Sequence, residues 1–375
     1  MRIGCRGEDL YLHGHHYQKK GLSKAPYDEK QSPALKSSSA RSKNVPREDS
    51  GSSGSTKSAA NLLAIVVLSG RRCGLSRCIT YYLKAIAAAD LFVIITGCIF
   101  NRIGRIYFSY SVLSTTAGCS INAVLVYAAR DASVWLTVAF TIDRFVSICC
   151  QSLKNSYCAV KTASLVIGMI CVFICVKNVP YYFIYQPLYS LNGLPWFCNI
   201  KPNFHTSSAW QAYHWLDRIL TPLLPFFLIL FLNVLTVRHI LAASRARKRL
   251  RCAENRIDSE MDKRKRSIVL LFAITFSFLL LWATYIGRFL YRLIARDEYV
   301  SSLNFRSPQY ILQETTNMLM LLSSCNNIFI YVVSQKMFRK RLKEILMWPF
   351  QIFTTRTKWP RGKTENCLTN ISHGA

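Results

Sequence analysis

Six stretches of this chain are each long and apolar enough to cross a lipid bilayer. A helix spanning the hydrocarbon core needs about 20 mostly apolar residues. The runs lie near Thr80–Arg102, Ile121–Cys149, Thr162–Ile184, Tyr213–His239, Ser267–Leu293 and Ile311–Val333. Only 18% of the residues are charged, against about 25% in an average soluble domain, and the charge collects between the runs. In lipid every backbone N–H and C=O must be satisfied within the segment, so such runs are read as helices. A seventh run, Ala59–Gly70, is apolar for only about 12 residues and is long enough for half a crossing. Short connections favour antiparallel neighbours in a bundle.

The net charge of +29 would suggest nucleic acid in a soluble protein. Here most Lys and Arg flank apolar runs, so the partner expected is the bilayer and no nucleic acid is expected. Arg238 to Arg266 carries eleven Lys and Arg against four acids, whereas residues 185–212 carry only Lys201. By the positive-inside rule the 240–266 loop and the basic C-terminal segment face the cytoplasm. With the C-terminus inside, seven spans place the N-terminus outside. Tyr81, Tyr82, Tyr181, Tyr182, Trp196, Trp210 and Trp215 sit near span ends, where amphipathic rings meet headgroups. Residues 335–347 alternate Phe338, Leu342, Ile345 and Leu346 with Arg and Lys at helical spacing, as an interfacial helix does. Residues 348–375 are expected as a cytoplasmic tail.

The first twenty residues contain no apolar core of a signal peptide. Gly51–Ser58 is rich in Ser and Gly and is expected to be disordered. Residues 1–58 as a whole read as a polar segment, disordered or foreign to the authentic protein, as from a mis-assembled gene model. The fourteen cysteines follow no zinc-type spacing, so no metal site is expected. No His-Glu-x-x-His, no phosphate loop and no Ser–His–Asp set is present, which argues against an enzyme.

Ionisable groups inside a span are costly and mark function. Here they include Asp90, Arg130, Asp131, Asp143, Arg144, Lys177, Asp217, Arg218 and Arg288. Several fall in ordered motifs: Leu83-x-x-Ile86-Ala-Ala-Ala-Asp90, Asp143-Arg144-Phe145, Phe278-x-x-x-Trp282, Pro225 in the fifth span, and Asn327-Ile-Phe-Ile-Tyr331 followed by Phe338. Cys119 stands 25 residues before Arg144, and Cys198 is the only cysteine in the long exterior loop.

Together these residues resemble the class A, rhodopsin-like G-protein-coupled receptors. The resemblance implies a seven-transmembrane helix bundle over residues 59–334, with its first helix truncated, and a plasma-membrane location. It implies a Cys119–Cys198 disulfide. It implies that Asp143, Arg144, Phe145, Phe278, Trp282, Asn327 and Tyr331 serve activation and coupling to a heterotrimeric G protein, and that Asp90 holds a sodium ion or a water network. No other cofactor is implied. Within the class, Ser133-Val-Trp135, Val179-Pro-Tyr-Tyr182 and Asn233 resemble a subgroup of orphan receptors that includes probable G-protein coupled receptor 139. That subgroup is proposed to sense aromatic amino acids and to signal through the Gq class. There are departures: Phe145 replaces Tyr, Ile328 replaces Pro, Thr284 stands where a proline follows Trp282, Asn233 replaces Tyr, and basic residues around Arg264 leave no acid to lock Arg144.

Depth along the spans places the ligand pocket at Tyr127, Arg130, Asp131, Asp217, Arg218, Trp282, Tyr285, Arg288 and Glu314. Arg130 or Arg288 suits a carboxylate and Asp131 or Asp217 an ammonium, as a free amino acid requires. A short peptide is the other ligand class, and an interhelical salt-bridge network is the reading without a ligand. Neighbours on a helix point about 100° apart, so Arg130 and Asp131 need not pair. Lys177 is expected to snorkel to the exterior interface. The rival readings for the whole chain are a polytopic transporter and a truncated, non-signalling receptor product.

Overall fold

The structure, a computed structural model, describes residues 50–70, 75–107, 111–191, 193–250, 259–295 and 308–356. Its principal helices are α1 Ser50–Ser69, α2 Arg77–Ile94, α3 Thr116–Cys149, α4 Val160–Asn178, α5 Leu224–Leu250, α6 Ser259–Ala295, α7 Pro308–Ser334 and α8 Lys336–Arg356. Six spans are long and apolar enough to cross a membrane: Arg77–Asn101, Thr116–Cys149, Val160–Ile184, Ser208–Arg245, Ile268–Tyr291 and Ile311–Ser334. These are the six runs read from the sequence. The seventh helix, α1, is apolar only over Ser58–Ser69.

Two boundaries differ from the sequence expectation. Gly51–Ser58 is helical rather than disordered, because α1 begins at Ser50. Ser and Gly are poor nucleators, but extending an existing helix adds one hydrogen bond per residue fixed. Residues 1–49, the rest of the expected foreign segment, lie outside the described residues. The interfacial helix runs on to Arg356 rather than stopping at residue 347, and tail residues 357–375 lie outside the described part.

Helix α3 is the central post, packing against α2, α4, α5 and α6. One apolar cluster, around Leu68, Tyr82, Leu83, Phe140, Leu270 and Tyr331, joins α1, α2, α3, α6 and α7 at the Arg144 end. A second, built on Tyr127, Tyr181, Ile184, Tyr185 and Phe204, closes the Cys198 end. Between them Val134, Val138, Ile229, Phe278 and Trp282 join α3, α5 and α6. The outward faces carry exposed large apolar side chains such as Val172, Phe173, Phe276 and Leu280. Helix α4 buries only Ala163, Ile174 and Asn178, so nearly all of its surface is suited to lipid.

The loop between α4 and α5 folds over the Cys198 end as two short antiparallel pairings, Tyr185–Gln186 with Asn199–Ile200 and Tyr189–Leu191 with Leu194–Trp196. Gly193 makes the tight turn of the second pairing at φ 75°, a backbone region that costs glycine nothing. The span leading into α5 breaks at Thr221 (φ −147°, ψ 111°), four residues before the Pro225 singled out in the sequence. The Trp135 indole N–H of α3 donates to Thr221 Oγ1 at 3.3 Å, which ties the break to the central post.

Candidate functional site

The middle of the bundle is organised by Asp90, which is 1% exposed. Ser133 on α3 donates to its Oδ1 at 2.6 Å and Asn327 on α7 donates to its Oδ2 at 2.7 Å. Asn61 of α1 donates to the Ser324 carbonyl at 2.9 Å, which ties α1 to the same stretch of α7. A buried carboxylate without donors would be costly in this environment, and here each oxygen has one. These bonds make α2, α3 and α7 one connected unit at mid-depth.

At one end of α3 both Asp143 and Arg144 are buried. Arg144 Nε donates to Asp143 Oδ2 at 2.8 Å, and its Nη2 donates to the same oxygen. The other carboxylate oxygen accepts from the Cys78 thiol of α2 at 3.1 Å. Cys158, in the connection to α4, places its thiol 3.6 Å from the Asp143 carbonyl. Phe145 is half-buried beside the pair. Tyr331 of α7 packs edge-on against Phe338 of α8, with ring centroids 5.6 Å apart, so α8 is anchored to the end of α7. Asn233 of α5, read as a departure from the family pattern, accepts from the Thr275 hydroxyl of α6 at 3.2 Å. It supplies a polar link between two helices in an apolar interface.

At the other end the Cys119–Cys198 disulfide is formed, with Cα atoms 6.0 Å apart. The bond pins the loop to the start of α3, and Thr116 Oγ1 donating to the Phe197 carbonyl at 2.7 Å reinforces it. Beneath lies an ion cluster shared by three helices. Asp131 is fully buried, and its carboxylate takes Lys177 Nζ at 2.7 Å, Asn178 Nδ2 at 3.0 Å and Arg130 at 3.4 Å. Lys177 also pairs with Asp217, which accepts the Tyr181 hydroxyl at 2.8 Å. Adjacent Arg130 and Asp131 thus do touch, although the Lys177 contact is the closer one. Lys177 does not snorkel outward: its side chain is 9% exposed and turned into the bundle. The reason is electrostatic, since two carboxylates face inward here and an outward Lys177 would leave both without their principal cation.

The remaining expected pocket residues form a second polar group nearby. Arg218 donates to the Tyr285 hydroxyl at 2.5 Å and to His214 at 3.3 Å. Arg288 donates to Gln313 Oε1 at 2.7 Å, and its guanidinium lies 5.9 Å from the Tyr285 ring centre. Glu314 is half-buried next to Gln313. Tyr127 stacks at 4.5 Å on Tyr181 and carries the Arg130 guanidinium 5.1 Å over its ring.

A cavity runs between these layers. Of the expected pocket residues its wall takes Arg130 and Trp282, together with Phe278 and Asn327 of the motifs. Tyr127, Asp131, Asp217, Arg218, Tyr285, Arg288 and Glu314 stand outside that lining, in the polar groups just described. Phe278 and Trp282 stack with centroids 5.4 Å apart, and Trp282 meets Tyr285 edge-on at 5.9 Å. The cavity therefore reaches from Arg130 down to Ser133, Ser324 and Asn327, which surround Asp90.

Sequence reasoning missed Cys78, Asn101, Asn178 and the bridging role of Lys177. Lys177, Asn178 and Tyr181 at i, i+1 and i+4 near a span end were a legible polar face. Cys78 gave no signal, because a thiol beside an apolar run reads as a small hydrophobe. No group of three or more His, Cys, Asp or Glu suited to a metal occurs among the described residues.

The comparisons with known proteins agree with this architecture. The family model for the seven-transmembrane receptor (rhodopsin family) matches residues 60–331. An FMRFamide receptor from Drosophila melanogaster is 22% identical over 298 residues, covering 75% of this chain and 50% of its own length, so the chain spans about half the length of that relative. The matched family consists of receptors, not enzymes, and the match takes in α2 through α7 and most of α1's apolar part. The chain belongs to the rhodopsin family of seven-transmembrane receptors.

Proposed function

We propose that this receptor sits in the plasma membrane with its C-terminus in the cytoplasm, binds a small molecule or short peptide in the cavity that Trp282 lines, and transmits that binding to a heterotrimeric G protein at the Arg144 end. The observation that carries the reading is the continuity of the polar path. The cavity wall includes Trp282, Ser133 and Asn327, and the latter two hold Asp90 from α3 and α7. Arg144 lies 14 residues along α3 from Arg130, about 21 Å at 1.5 Å per residue. A ligand that prefers one arrangement of α3, α6 and α7 shifts the population of that arrangement at the far end.

The FMRFamide receptor relative supports a peptide ligand. The resemblance of Ser133-Val-Trp135 and Val179-Pro-Tyr-Tyr182 to the orphan subgroup supports an amino-acid-like ligand and the Gq class. The depth of the cavity is compatible with either. Asp90 with the hydroxyls of Ser133 and Ser324 offers oxygen donors suited to a small hard cation, so sodium fits there and would neutralise the carboxylate when bound. The basic 238–266 loop and α8 flank the proposed G-protein cavity.

The test is a second-messenger screen in cells with amino-acid and short-peptide panels, run beside an Arg144→Ala control. It uses the 375-residue chain and a version with a lengthened first helix. A calcium response lost in Arg144→Ala supports the reading. Equal responses in both, or ligand-driven ion flux without a second messenger, count against it.

A further inference from the structure

We propose that the cavity selects a carboxylate carrying an adjacent N–H donor and an apolar side chain, that is, an N-acylated amino acid, whether free or as the last residue of a peptide with a free C-terminus. This rests on the reading of the cavity as the ligand site and narrows its chemistry.

Four observations converge. Among the described residues, Arg130 is the one charged side chain in the cavity lining. A guanidinium presents a planar fork that matches a carboxylate in bidentate fashion. Secondly, the place a ligand ammonium would take is already filled. Asp131 and Asp217, the acids that suit a free amino group, are both bridged by Lys177 from within the bundle. A zwitterion would have to displace a buried ion pair, which is strongly unfavourable.

Thirdly, Asn101 lies in the cavity wall, is 8% exposed, and its Oδ1 has no hydrogen-bond partner. A buried carbonyl oxygen in that state accepts an N–H or O–H at a net gain. Asn101 belongs to the π-helical stretch Ile95–Ile103, the kind of local widening that recurs at functional sites. Fourthly, in the two polar groups described above four cations, Arg130, Lys177, Arg218 and Arg288, stand against three carboxylates, Asp131, Asp217 and Glu314. One added negative charge balances the group. Beside the polar anchors the wall carries the apolar side chains of Val126, Phe278, Trp282, Met320 and Leu321, which suit an aromatic or aliphatic side chain.

The bound geometry follows: carboxylate on Arg130, acyl N–H on Asn101 Oδ1, side chain against Phe278 and Trp282. The same geometry disfavours a C-terminal amide, which offers Arg130 no negative charge beyond that of Asp131, and so separates this chain from the amidated peptide in the name of the fly relative.

The experiment measures thermal unfolding of the full chain in nanodiscs with four probes at about 1 mM. They are N-acetyl-L-phenylalanine, the tripeptide Gly-Gly-Phe with a free carboxylate, N-acetyl-L-phenylalaninamide and L-phenylalanine. At least one of the two acylated acids is expected to raise the midpoint by roughly 3 °C or more, and the amide and the zwitterion by less than about 1 °C. A larger shift with the tripeptide assigns a peptide source, and a larger shift with the acetyl compound a free acyl amino acid. Arg130→Gln should erase the shift and Asn101→Ala should reduce it. The contrast between acid and amide in the unaltered protein needs no variant to fold. Equal shifts for acid and amide, a larger shift for the zwitterion, no shift with either acid, or a shift that survives in folded Arg130→Gln each overturn the proposal. Failure of the receptor reading looks different: the acid-specific shift persists while G-protein nucleotide exchange does not respond to the probe.

Discussion

Helix α3 carries two fully buried carboxylates, Asp131 and Asp143, twelve residues apart or about 18 Å along the axis. They are partnered in opposite ways. Asp143 takes its cation from the next residue, Arg144, and among the described residues its hydrogen-bond donor from another helix is the Cys78 thiol. Asp131 takes its principal cation from α4, through Lys177, which also grips Asp217 on the segment leading into α5. The first pair stays intact however the surrounding helices move, because both members ride on one helix. The second cannot be separated without pulling α3, α4 and α5 apart. The difference teaches where a bundle of this kind can open. The Cys198 end is a clamp, closed further by the Cys119–Cys198 bond, while at the Arg144 end the charged pair lies within one helix.

The most severe test of that contrast is Lys177→Ala. It removes the cation that two buried carboxylates share, and the cost expected is about 3–5 kcal/mol, seen as a collapse of surface expression and a lower unfolding midpoint. Adding Asp131→Asn and Asp217→Asn should restore much of it. A single variant as stable as the parent would dissolve the idea of a clamp. Next in size is Cys198→Ser. Opening a loop of 79 residues' separation should cost about 2–4 kcal/mol, read as reduced folded receptor at the cell surface and unfolding at a lower temperature.

Arg144→Ala should behave differently from both. G-protein nucleotide exchange is expected to fall by roughly tenfold or more, while the unfolding midpoint falls much less than in Lys177→Ala, because Asp143 keeps its Cys78 donor and loses a partner from its own helix only. Comparable destabilisation in the two variants would mean that the two ends are equivalent after all. The smallest effect expected is that of Cys78→Ala. Removing one thiol donor from Asp143 is worth about 0.5–1.5 kcal/mol, which should raise ligand-independent exchange up to several-fold without changing surface expression. Unchanged basal exchange in that variant would place the α2 contact outside the switch.

Much of the molecule was legible in the chain. Bilayer thickness sets the length of a span, and the absence of water forces each span to be helical, so six of the helices follow from apolar run length alone. Asp90, Asp143, Arg144, Trp282 and Asn327 were legible for a related reason. A polar or large aromatic side chain at those depths is costly or constrained, and it stands out against Leu and Val. The disulfide followed from the resemblance, and the structure forms it.

What the sequence left open are matters of direction. Lys177 has the same composition and depth whether it points to headgroups or into the bundle, and only the positions of Asp131 and Asp217 on two other helices decide between them. Depth placed nine residues in the pocket, but depth says nothing of angle around a helix axis, and the cavity wall takes Arg130 and Trp282 while the others stand outside it. Asn101 and Cys78 acquire meaning only from what stands opposite them: a cavity in one case and the Asp143 carboxylate in the other. A one-dimensional pattern determines which segments must leave water and how long they are, because that is a property of each segment alone. Which side chains meet is a relation between segments, and tertiary packing sets it.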